Sequence, residues 1–61
     1  MNEEIVERVC KVQLVYELIS KVKEIVQEEN ICGGHRGYVD DILATVEFEL
    51  DNEIKNLKKQ L

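Results

Sequence analysis

A single interruption organises this chain. Apolar residues recur at three- and four-residue spacing on both sides of Asn30-Ile31-Cys32-Gly33-Gly34-His35-Arg36-Gly37, a stretch that holds all three glycines of a chain without proline. That is the pattern of two amphipathic helices joined by one turn. Upstream, one apolar set is Ile5, Val9, Val12, Tyr16 and Ile19, and a second is Val15, Leu18, Val22, Ile25 and Val26. A strand is excluded because Val12, Leu14, Val15, Tyr16, Leu18 and Ile19 would then cover both of its faces. Asn2 is suited to cap this helix, with Glu3 and Glu4 at the positive end of its dipole and Met1 against Val6 as a hydrophobic staple. Downstream, Val39, Ile42, Leu43, Val46, Leu50, Ile54, Leu57 and Leu61 form one stripe. This second helix opens with Asp40 and Asp41 and closes with Lys55, Lys58 and Lys59, the charge order its dipole favours.

The expected fold is therefore all-α and one domain over residues 1–61: a first helix at about 3–30, a turn at 31–37 and a second helix at about 38–60. Gly33 or Gly34 is expected to close the first helix in the left-handed conformation, with Gly37 preceding the second. Helices of about 28 and 23 residues are roughly 42 and 35 Å long, so an antiparallel hairpin matches them.

A chain of 61 residues needs help to stay folded, since one this short buries only about 60% of its unfolded surface. The two cysteines cannot form an internal bridge, because most of the first helix, about 33 Å, separates Cys10 from Cys32. Self-association remains. Its geometry is suggested by the two apolar faces: the second helix carries a stripe about 120° wide, whereas apolar residues cover more than half of the first helix. An early group (Val6, Val9, Cys10, Tyr16) and a later group (Leu14, Leu18, Val22, Ile25) point in different directions. The early group is assigned to a homodimer contact, two hairpins making a four-helix bundle about a two-fold axis.

Charge narrows the choice of partner. Eight Lys and Arg stand against thirteen Asp and Glu, a formal charge of −5, which disfavours a nucleic-acid backbone as ligand. No apolar run reaches the ~18 residues that a membrane span requires. The opening Met1-Asn2-Glu3-Glu4 lacks the basic and apolar regions of a secretion signal, so a cytosolic location is expected. Cys32 and His35 give only half of a zinc ligand set, and no residue nearby would orient the histidine for nucleophilic chemistry. The glycine-rich turn lacks the Gly-Lys-Ser/Thr ending of a phosphate loop. No metal or cofactor is expected, and His35 and Arg36 read as a loop tip able to touch an acidic partner. Glu47, Glu49, Asp51 and Glu53 alternate around the second helix and read as a solvated face.

Phe48 does not fit the apolar stripe. With Ala44 one turn earlier and Asp41, Thr45, Asp51 and Asn52 around it, it has the composition of a protein contact, an aromatic anchor inside a polar rim, either packed within the homodimer or presented to a different protein. The chain thus reads as a non-enzymatic interaction module that binds and modulates a larger cytosolic regulatory protein as a homodimer. Two resemblances add alternatives. In architecture and length the chain is similar to ROP, the RNA-binding helical hairpin of plasmid copy-number control, which implies an RNA-binding bundle. Glu49-Leu50-Asp51 resembles the end of the Ser-Gln-Glu-Leu-Asp motif of two-helix aspartyl-phosphate phosphatases of sporulation response regulators. Glu47 and Phe48 stand where that family has Ser and Gln, and the likeness implies active roles for Glu49 and Asp51. Neither likeness assigns the chain to a family.

Overall fold

Two long helices and a tight turn account for the fold of residues 2–61, the part described by the computed structural model. Helix α1 spans Asn2–Glu28, a single 3-10 turn follows at Gly33–His35, and helix α2 spans Arg36–Lys58. The helices pack antiparallel along their length. The molecule measures 47 × 15 × 10 Å.

The α2-facing row of α1 is Ile5, Val9, Val12, Tyr16, Ile19, Lys23 and Val26, which alternates steps of four and three. This is the 3.5-residue period that keeps a seam against a neighbouring helix. Every member is buried or half-buried, Val12 and Val26 most deeply. From α2 the seam receives Val39, Leu43, Val46, Leu50, Ile54 and Leu57, with Ile54 the most enclosed at 6% exposure. Ile42 and Leu61, which the sequence pattern places in the same stripe, are 44% and 55% exposed. The true stripe of α2 is narrower because one helix can cover only one side of another.

The turn differs from expectation at its first residue. Helix α1 ends two residues early: Asn30 takes the left-handed conformation at φ 51°, and the Ile31 amide donates to the Val26 carbonyl at 3.1 Å. That six-to-one bond is the Schellman closure, with Asn where Gly is commonest. Gly33 is left-handed as well, at φ 45°, but it shapes the turn and does not close the helix. Cys32 is a third left-handed residue, at φ 74°, and its carbonyl accepts from the His35 amide at 2.8 Å. Arg36 Nη1 donates to Asn30 Oδ1 at 3.1 Å and ties the two ends of the turn together.

Both helix starts are also shifted. Helix α2 begins at Arg36, so Gly37 lies inside its first turn and Asp40 and Asp41 fall in the second. Helix α1 already includes Asn2, which is therefore a helical residue and not the cap expected of it. The staple partner Met1 lies outside the described residues.

Candidate functional site

Each helix turns a second face away from the seam. On α1, Leu14, Leu18, Val22 and Ile25 form a row roughly 145° from the α2-facing row at about 100° per residue. They are 57%, 57%, 46% and 39% exposed, and Val15 beside them is exposed too. On α2, Phe48 is 63% exposed, with Ala44 exposed one turn earlier. Asp41 and Thr45 are exposed next to Ala44, and the Thr45 hydroxyl donates to the Asp41 carbonyl at 2.9 Å. Asp51 and Asn52 are half-buried, and Asp51 meets Lys55 at 2.9 Å.

These α2 residues belong to a larger exposed face than the sequence suggested. Asp41 and Thr45 also line a shallow open groove of about 380 Å³, together with Tyr38, Ile42 and Val46. Tyr38, 70% exposed, is the residue that sequence reasoning passed over. Its place at the helix start, next to the glycine turn, gave no periodic signal. The outer side of α2 thus presents two aromatic rings, Tyr38 and Phe48, with Asp41 and Thr45 between them.

The early group of α1 divides. Val9 and Tyr16 are half-buried in the seam with α2, while Val6 and Cys10 are exposed. The later group is the one that stands free as an intact row. His35 and Arg36 are exposed at the tip, where the Arg36 guanidinium is held by Asn30. Cys32 is exposed and reduced, as is Cys10.

One constellation joins the helices. Glu47 is half-buried: the Ser20 hydroxyl donates to its Oε2, and Lys23 Nζ lies 3.1 Å from its Oε1. The Ser20 hydrogen bond first, and the Lys23 ammonium second, hold the Glu47 carboxyl below its usual range. Glu47 is therefore no part of a solvated acidic face. Its pairing with a serine 27 positions away has no sequence signal. Glu49 and Asp51, the acids of the phosphatase resemblance, project roughly 160° apart on α2 at about 100° per residue, so the two carboxyls do not share a site. Among the described residues no three His, Cys, Asp or Glu side chains gather to hold a metal, and no helix is long and apolar enough to cross a membrane.

No family model, curated protein or solved structure matches this chain. The surface itself is what bears on function. Its exposed chemistry is apolar and aromatic with scattered acids.

Proposed function

We propose that the chain is a small non-enzymatic interaction module, a homodimeric helical hairpin of the four-helix-bundle kind that binds and modulates a larger cytosolic regulatory protein. One observation carries the reading. Among the described residues eleven large hydrophobic side chains are exposed while three are buried. Scattered apolar residues on a surface need no explanation, but a contiguous row such as Leu14, Leu18, Val22 and Ile25 on α1, and aromatic rings set among polar groups on α2, support a reading as contact sites. The α1 row serves self-association. Phe48 and Ala44 anchor the partner by helix-face docking, and Asp41, Thr45, Asp51 and Asn52 set its register through polar complementarity.

Affinity capture with the wild type and with Phe48→Ala tests the partner role. Phe48 is 63% exposed, so its truncation should alter fold stability by no more than about 0.5 kcal/mol. Binding to the specific partner should weaken at least tenfold, the loss expected for an aromatic anchor worth about 1.4 kcal/mol or more. Equal retention of the same proteins by both forms would remove Phe48 from the interface.

A further inference from the structure

The outer row of α1 ends in charges of opposite sign. Continued by one step at each end, Leu14, Leu18, Val22 and Ile25 become Lys11, Leu14, Leu18, Val22, Ile25 and Glu29, with steps of three and four throughout. Lys11 and Glu29 are both exposed, and they lie at the same angle on the helix, about 27 Å apart along its axis at ~1.5 Å per residue. Glu29 still follows helical geometry, its amide donating to the Ile25 carbonyl at 2.9 Å. A row with a cation at one end, an anion at the other and aliphatic residues between is complementary to itself when reversed.

We infer that a second copy of this chain covers the row, α1 against α1 antiparallel, about a two-fold axis that crosses the helix near Ser20. Facing residues then have numbers that sum to about 40. Leu18 meets the partner's Val22, Leu14 meets the partner's Ile25, and Lys11 meets the partner's Glu29, each contact occurring twice. On the flank, Lys21 comes beside the partner's Glu17. Ser20 itself points into the hairpin and holds Glu47, so the axis crosses α1 without disturbing the intrachain seam. A parallel pairing would instead set Lys11 against the partner's Lys11 and Glu29 against the partner's Glu29, like charges at both ends.

The area agrees with this occupant. A folded monomer of 7.1 kDa has an accessible surface of about 4,100 Å², whereas this chain has 4683 Å², an excess of roughly 600 Å². One partner of a standard interface contributes about 800 Å². The excess is of the size that one dimer contact removes, and the α1 row is the longest apolar strip available to supply it. With α1 at the centre, the Phe48 face of α2 stays on the outside of the assembly, free for a different protein.

This proposal rests on the homodimer reading and adds its face and register. The test is the dimer dissociation constant of the intact chain, measured by sedimentation equilibrium for the wild type, Leu18→Glu, Lys11→Glu, Glu29→Lys and the Lys11→Glu/Glu29→Lys double variant. The wild type should dimerise and Leu18→Glu should not. Each single charge change should weaken the dimer by about tenfold, since two facing pairs turn repulsive at once. The double variant should recover the wild-type constant. Lys11 and Glu29 are too far apart to meet within one chain, so recovery requires the antiparallel partner. A dimer that survives Leu18→Glu unchanged overturns the proposed face while leaving dimerisation intact. A double variant weaker than either single overturns the register. A monomeric wild type overturns both this proposal and the homodimer reading. Should Leu18→Glu lose its helical circular dichroism, the charge variants decide alone, since both positions are exposed and neither supports the intrachain seam.

Discussion

Glu47 shows how one side chain sets the register of the hairpin. Its carboxylate is anchored from α1 by Ser20 and Lys23, so sliding one helix along the other would strand all three groups. The same contacts govern its titration. Held below its ordinary value of 4.5, Glu47 contributes stability that is fully present above that pH and lost as pH falls through the lower folded value. Ser20→Ala removes the largest cause, so acid unfolding followed by circular dichroism should begin at higher pH than in the wild type. An unchanged acid midpoint would show that the hydroxyl does not hold the carboxylate. At the turn, three residues have positive φ and only one is glycine. Left-handed backbone costs a side chain about 1–2 kcal/mol, and glycine escapes that cost. Gly33→Ala should therefore destabilise by about 1 kcal/mol although nothing lies within 4 Å of the added methyl group. Cys32→Gly should stabilise by about 0.5 kcal/mol, the relief from strain being partly offset by a freer unfolded chain. Urea unfolding of the two variants checks both signs.

At the scale of the elements, the two helices differ in how much of their circumference the hairpin uses. Helix α2 meets its partner with one row and leaves acids, Thr45 and two aromatic rings outside. Helix α1 has two rows of similar hydrophobicity, and only the row at 3.5-residue spacing faces α2. Apolar content alone does not say which row is inner. The decision falls to continuity: the inner row runs the length of α1 from Ile5 to Val26, with Lys23 turned to Glu47, whereas the outer row begins in earnest at Leu14. Helix α2 carries one avoidable weakness. Gly37 sits in its first turn with no positive φ and nothing within 4 Å of an added methyl group. Gly37→Ala should thus raise stability by about 0.5–1 kcal/mol, opposite in sign to Gly33→Ala. Thermal or urea unfolding of the pair would test the turn's backbone assignment, because a shared sign would contradict it.

As a whole the molecule is a single layer. Its least dimension, 10 Å, is the thickness of one helix, and its radius of gyration is 14.1 Å against about 10.5 Å for a globule of this length. A layer has no inside: even Val12, Val26 and Ile54 keep 8%, 7% and 6% of their surface in contact with water. Domains ordinarily rest on two packed layers around one core. In the proposed dimer a second copy covers the outer row of α1, and the melting temperature should then rise with protein concentration, each tenfold increase adding about 1.4 kcal/mol per mole of dimer. Circular dichroism melts over a hundredfold concentration range check this, and superimposable curves would tell against it. By itself the sequence determined the two helices, the position of the break between them and the excess of apolar surface, because spacing and glycine placement are local properties of the chain. Only the tertiary structure decided which α1 row faces inward, that Asn30 and not a glycine closes α1, and that Glu47 is a register pin. Each of those depends on which groups meet across the hairpin or on the backbone path of the turn, and neither is written in the order of the residues.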